Sequence, residues 1–132
     1  MNNVYDTHKR YAGFYKQLYK LPFLLSLYIK RASKLFRERG CIFLQAHPFR
    51  NGLKVVPPEY LDGIETYNGH PGHDSRNNIA LMWAEQFGLK KISGTDYHHD
   101  YHFPTGGIVT EKPIRTNEEL AAVLKSGEYE PL

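Results

Sequence analysis

Apolar residues recur along this chain at two spacings, which together predict a mixed α/β fold. Between residues 11 and 36 aromatic and aliphatic side chains return every three or four positions, as on the apolar faces of two amphipathic helices. Gly40 favours the end of the second helix. Residues 41–46 are almost continuously apolar between Gly and Pro, which is typical of a buried strand, so we expect the thiol of Cys41 to be buried.

The second half of the chain continues the alternation of strands and helices. Strands are expected at residues 61–67, 90–94 and 106–110. A helix is expected between the first two of these strands, and its core-facing side is marked by Ile79, Met82, Trp83 and Phe87.

A further helix is predicted near the C-terminus. Thr116 and Glu119 form a capping box at its start, and Gly127 favours its end. Strands that alternate with helices favour parallel pairing. We therefore expect a single α/β domain over residues 1–132, with mostly parallel strands and a helical N-terminal segment at 1–38.

Composition narrows the class of protein without naming a function. The chain has 132 residues, 41% of them hydrophobic and 23% charged, as in ordinary globular domains. One cysteine excludes an internal disulfide and fits a reducing compartment. No stretch approaches the ~20 apolar residues of a membrane span. We expect a cytoplasmic protein without a membrane partner.

The net charge of +3 is too small to indicate a nucleic-acid partner by itself. Basic residues interleave with tyrosines near the N-terminus, at His8, Lys9, Arg10 and Lys16, and such a pattern can bind single strands. An amphipathic helix with a solvated basic face explains the same residues, and a nucleic-acid partner is therefore not expected.

Candidate chemistry lies just beyond two of the expected strands. Asp96 and His98 follow the strand at 90–94, and His47 follows the strand at 41–46. Carboxylate oxygen and imidazole nitrogen suit zinc, manganese or iron. Because parallel strands place their carboxyl ends at one edge of a sheet, these residues are expected to meet there. An isolated Asp-x-His is also common in ordinary loops.

Five of the seven histidines fall within about a quarter of the chain, at His70, His73, His98, His99 and His102. Such clustering suggests metal binding, and solvent-exposed loop histidines are the alternative.

Four stretches together resemble the polymerase and histidinol phosphatase (PHP) domain family. They are residues 45–50 (QAHPFR), 61–68 (LDGIETYN), 75–80 (SRNNIA) and 93–99 (SGTDYHH), in the order and spacing of that family. The resemblance covers roughly residues 39–110.

The resemblance implies a distorted (β/α)7, TIM-like barrel that binds divalent metal ions and hydrolyses phosphate esters. By this match His47 is the histidine of the third metal motif, and Asp96 and His98 belong to the fourth. Arg50 and His99 are candidate ligands of a small phosphorylated substrate, and a guanidinium suits a phosphate geometrically. Either residue could equally be an ordinary loop residue.

The sequence departs from the family at its front. No His-x-His precedes His47, and we place Glu65 in a later strand of the barrel rather than at the metal-bridging position. The chain thus looks like the C-terminal part of a PHP domain. We expect at most one metal ion, weak or absent activity, and a homodimer or a complementing N-terminal half. A non-catalytic interaction module is the alternative.

Overall fold

The computed structural model describes residues 23–132, so the helix predicted over the first twenty residues lies outside the described part of the chain. The described part contains three helices, one short 3₁₀ turn and five strands. In chain order they are α1 (Phe23–Glu38), β1 (Leu44–Gln45), the 3₁₀ turn (Pro58–Tyr60), β2 (Gly63–Asn68), α2 (Asn77–Phe87), β3 (Lys90–Gly94), β4 (Ile108–Val109), α3 (Asn117–Ser126) and β5 (Glu130–Pro131).

A parallel sheet of three strands organises the fold, in the order β1-β2-β3. The strand β2 lies in the middle, with Leu44 opposite Gly63 on one side and Ile64 opposite Lys91 on the other. The predicted α/β class with parallel strands is confirmed at this level. Residues 23–132 form an open sheet and no barrel.

The strand predicted at 106–110 is shorter and does not join the parallel sheet. Ile108 and Val109 pair antiparallel with β5, because the chain turns back through α3 and returns alongside β4. This two-stranded ribbon is attached to the main sheet by the Gly107 N–H, which donates to Ser93 Oγ at 3.1 Å.

The core forms between β2, α2 and the connection that precedes β2. Its buried apolar residues are Phe49, Val55, Leu61, Ile64, Ala80, Trp83, Ala84 and Leu89. Trp83 is buried as predicted, with its ring 5.6 Å from that of Phe49. The placement of Met82 and Phe87 on the core-facing side was wrong, because these residues are 52% and 39% exposed, and Phe87 ends α2.

The strand predicted over residues 41–46 is reduced to β1 by a side chain. Asp62 Oδ2 accepts the Phe43 N–H at 2.7 Å, and the Asp62 N–H donates to the Phe43 carbonyl at 2.8 Å. Cys41 precedes this contact, directly after the turn that ends α1, and is exposed. The prediction of a buried thiol was therefore wrong.

Helix α1 contacts the rest of the fold through a few residues. Ser33 Oγ donates to the Tyr60 carbonyl at 2.7 Å, and Arg37 Nε donates to Asp62 Oδ1 at 2.9 Å. The Leu24 and Tyr28 side chains are 77% and 79% exposed. None of the helices within residues 23–132 has the length and apolar character needed to cross a membrane.

Candidate functional site

The carboxyl ends of the three parallel strands meet at one edge of the sheet, where polar residues collect. His47 lies two residues beyond β1, Asn68 ends β2, and Asp96 lies two residues beyond β3. Open parallel sheets bind ligands at this edge, because the loops that leave the strands meet there.

Two residues at this edge have backbone conformations that L-amino acids seldom adopt. His47 has a φ of 30° and Asp96 a φ of 53°. Residues in such regions store strain that the surrounding structure must offset, and they concentrate at functional sites. Both residues were chosen from the sequence as candidate metal ligands.

A buried carboxylate fixes the first of these turns. Glu65 Oε2 accepts the His47 backbone N–H at 2.7 Å and an Asn68 side-chain N–H at 3.0 Å. Glu65 lies in β2, as the sequence predicted, and is 7% exposed. A Cβ on Gly94 would collide with Glu65 Oε1, so any larger residue at this position would displace the carboxylate.

The amide of Asn68 carries the connection across the site to Arg50. Asn68 Oδ1 accepts from Arg50 Nη2 at 2.9 Å, from Ser75 Oγ at 3.2 Å and from the His70 N–H at 3.2 Å. The sequence singled out Arg50 as a candidate, but it gave no individual role to Asn68 or Ser75. Their position directly beside the ligand-bearing loops becomes evident only when the strands are in register.

Asp96 receives charged or polar partners at both carboxylate oxygens. Arg50 Nη2 donates to Oδ2 at 2.5 Å, and His98 Nε2 lies 2.9 Å from Oδ1. Burial raises the pKa of Asp96, but hydrogen bonds from Arg50, Asn68 and His98 outweigh it and lower the pKa to about 2. The carboxylate is therefore ionised at neutral pH.

His47 joins the same network through its backbone rather than through its ring. The connection runs from its N–H through Glu65, Asn68 and Arg50 to Asp96. Its ring atom Nδ1 is buried without a hydrogen-bond partner among residues 23–132. A buried polar atom without a partner is costly, and its presence calls for a functional or structural reason.

Within residues 23–132 no group of three His, Cys, Asp or Glu side chains is arranged to hold a metal ion. The candidate ligands thus share an edge of the sheet and a hydrogen-bond network, and Asp96 is engaged by Arg50 and His98.

The five clustered histidines do come together, around an open pocket of about 550 Å³ that we call the histidine pocket. Its lining residues are His70, Pro71, Gly72, His73, His98, His99, Tyr101 and His102. The ring of His70 lies centrally, 4.4 Å from that of His73, 5.7 Å from that of His98 and 4.7 Å from that of His102. Desolvation, with repulsion from His73 and His102, lowers the pKa of His70.

His99 lies in this pocket with its ring stacked on that of Tyr101, 5.1 Å away. His98 connects the pocket to the network, since it lines the pocket and also contacts Asp96. The two candidate substrate ligands therefore differ in position: Arg50 lies within the network, and His99 lies in the pocket beside it.

Arg76 holds the loop that carries Arg50. Its guanidinium donates to the Phe49 carbonyl and to Asn51 Oδ1, and its own backbone is left-handed, with a φ of 49°, just before α2. Arg76 therefore occupies the position that precedes α2 and also anchors the loop that carries Arg50.

Comparisons with protein-family models, with curated proteins and with solved structures found no match for this chain.

Proposed function

We propose that this chain is a metal-dependent phosphoesterase domain of the PHP type that acts on a small phosphate ester. The supporting observation is the sheet edge where His47, Asp96 and His98 follow parallel strands and connect to Arg50 through one hydrogen-bond network. The resemblance of the four sequence stretches to the PHP family provides the reaction class.

The types of donor atom at this edge, imidazole nitrogen and carboxylate oxygen, suit a divalent ion such as zinc, manganese or iron, but the side chains of residues 23–132 would have to rearrange to hold one. His47 has a buried ring nitrogen without a partner in the described residues, and Asp96 is ionised. The ion would be held by His47, Asp96 and His98. Because both carboxylate oxygens of Asp96 are already in contact with Arg50 and His98, one of these two contacts would have to break before Asp96 could bind the ion. A bound divalent ion would stabilise phosphate charge and lower the pKa of bound water.

The residues of the chain would then divide the binding of substrate. Arg50, once released from Asp96, has a planar guanidinium that can bind two phosphate oxygens at once. His99 lies in the adjoining pocket and is the second candidate ligand of the ester. Since Asp96 is engaged by Arg50 and His98 in the metal-free arrangement, we expect weak metal binding and low activity.

Calorimetric titration of zinc and manganese into protein treated with a chelator tests the proposal. The wild type should bind at least ten-fold more tightly than His47→Ala, because His47 supplies a ligand. His73→Ala is the matched control, since it removes a pocket histidine without touching the network. Manganese-dependent hydrolysis of p-nitrophenyl phosphate should also be lower in His47→Ala than in the wild type, and His73→Ala should hydrolyse it at the wild-type rate. Indistinguishable isotherms for the wild type and His47→Ala would contradict the metal site.

A second candidate is an interaction module, or a half-domain that completes its site with another chain. Two observations favour it: the free edge of β1, which pairs only with β2 among the described strands, and the exposed apolar side chains of α1. We propose a homodimer or a separate N-terminal half as the partner. Absence of phosphatase activity with zinc or manganese, combined with a stable dimer, would favour this candidate.

A further inference from the structure

Two imidazoles of the histidine pocket, those of His70 and His102, have a tautomer that follows from the backbone N–H groups beside them. The Gly72 N–H donates to His70 Nδ1 at 3.0 Å. A backbone N–H can only donate, so Nδ1 must carry a lone pair. A neutral imidazole with its lone pair at Nδ1 carries its proton at Nε2, so His70 is held as an N–H donor at that atom.

The same argument applies to the second imidazole at the base of the pocket. His102 Nδ1 accepts the His98 N–H at 3.4 Å, which places the proton of this ring at Nε2 as well. His102 is 5% exposed, and its ring centre is 4.7 Å from that of His70. Two neighbouring rings that line the pocket, those of His70 and His102, therefore each carry their remaining N–H at Nε2, with the tautomer set by the loop backbone.

These donors suit a negatively charged oxygen better than a metal ion. A metal needs a ring lone pair, and the Nδ1 lone pairs of His70 and His102 are already used by the backbone. The negative charge of Asp96, which would repel an anion, is balanced by its ion pair with Arg50. Arg50 lies close to the pocket, because its guanidinium and the His70 N–H both donate to Asn68 Oδ1.

We propose that the histidine pocket binds a phosphate group through the Nε2–H groups of His70 and His102. Its volume of about 550 Å³ lies within the range of small-ligand pockets, which leaves room for an organic group attached to the phosphate. This binding requires no metal ion, so it can fail or succeed independently of the phosphoesterase proposal.

Nuclear magnetic resonance of ¹⁵N-labelled imidazoles, with a chelator present at about pH 8, tests the proposal directly. His70 and His102 should show the Nε2–H tautomer, and their Nε2 signals should shift on addition of inorganic phosphate. His70→Phe keeps a ring of similar size but removes the donor, and should weaken phosphate binding at least five-fold. Lys112→Gln, which removes a positive charge after β4, is the control and should change the affinity less than two-fold.

Three results would overturn the proposal: an Nδ1–H tautomer at His70, phosphate affinity unchanged in His70→Phe, or equal weakening in Lys112→Gln, which would indicate a net-charge effect. A zinc or nickel titration tests the remaining explanation, which is that the pocket binds a metal ion. Loss of metal binding in His70→Phe, with phosphate binding intact, would make the pocket a metal site instead. His47→Ala should retain phosphate binding even if it abolishes the proposed hydrolysis.

Discussion

The strand β2 and the helix α1 use polar and apolar residues in opposite ways. In β2 the side chains of Glu65, Thr66 and Asn68 are buried and hydrogen-bonded. In α1 the large apolar side chains of Leu24 and Tyr28 are mostly exposed. A polar side chain is buried at a cost unless its hydrogen bonds are satisfied, and an apolar side chain gains stability only when it leaves water.

This difference indicates which parts of the chain support its stability and its candidate site. The candidate site is built on the central strand, whose buried polar groups are expensive to disturb because each has a specific partner. Helix α1 contributes through a few contacts with the other described residues, and several of its large apolar side chains are exposed. Changes in β2 should therefore affect folding and the site together, whereas changes on the apolar face of α1 should affect association.

The largest effect is expected from Glu65→Ala. Removing the carboxylate leaves the His47 N–H and one Asn68 N–H without an acceptor in a buried position. Buried donors without partners cost about 1–3 kcal/mol each, so we expect a loss of about 3 kcal/mol in the free energy of unfolding. Urea denaturation at neutral pH measures this loss.

Glu85→Ala provides the matched control for that substitution. Glu85 is an exposed carboxylate on α2 that lies 3.6 Å from Lys91 Nζ, and exposed ion pairs contribute under about 1 kcal/mol. If Glu65→Ala and Glu85→Ala lower the free energy of unfolding equally, the hydrogen bonds of Glu65 stabilise the fold no more than an exposed ion pair does.

The second effect is a dependence of stability on pH that comes from Asp96. Its pKa in the folded protein is about 2, below the ordinary 3.8, so the ionised form is favoured by folding. The resulting stabilisation is present above about pH 4 and is lost as the pH falls toward about 2. It amounts to about 2 kcal/mol by proton linkage.

Comparison with Asp96→Asn isolates this effect, because other acidic groups titrate in both proteins. Between about pH 4 and pH 2 the wild type should lose about 2 kcal/mol more than the variant. Parallel acid-unfolding curves for the two proteins would mean that the contact between Arg50 and Asp96 does not form in solution.

The sequence predicted much of this site because its strongest patterns coincide with the parallel sheet. The strand at 90–94 was placed correctly, and His47 and Asp96 were expected at a common edge. Asn68 and Ser75 were missed, because their importance depends on which residues lie opposite each other across strands. Residues 41–43 were wrongly predicted as strand, because periodicity does not show that the Asp62 side chain accepts the Phe43 N–H in place of a neighbouring strand. Phe87 was wrongly predicted in the core, because periodicity does not show that the helix ends there at the surface.

A smaller effect is expected where α1 joins the fold. Ser33→Ala removes the hydrogen bond to the Tyr60 carbonyl and should cost about 1 kcal/mol. Ser26→Ala in the same helix gains the same helix propensity without losing that bond, so the difference between the two variants measures the contact. If the two variants are equally stable in urea, α1 is attached more weakly than its geometry indicates.

The smallest effect on folding is expected from Tyr28→Lys, on the exposed side of α1. The side chain is 79% exposed, and its replacement should change the free energy of unfolding by no more than about 0.5 kcal/mol at concentrations where the protein is monomeric. Association should respond differently, because a charge placed in an apolar interface is desolvated without a partner. Light scattering at micromolar concentration should therefore show a dimer for the wild type and a monomer for Tyr28→Lys, with Lys34→Ala as a dimeric control. A monomeric wild type, or a dimer that Tyr28→Lys leaves intact, would mean that the apolar side chains of α1 do not mediate self-association.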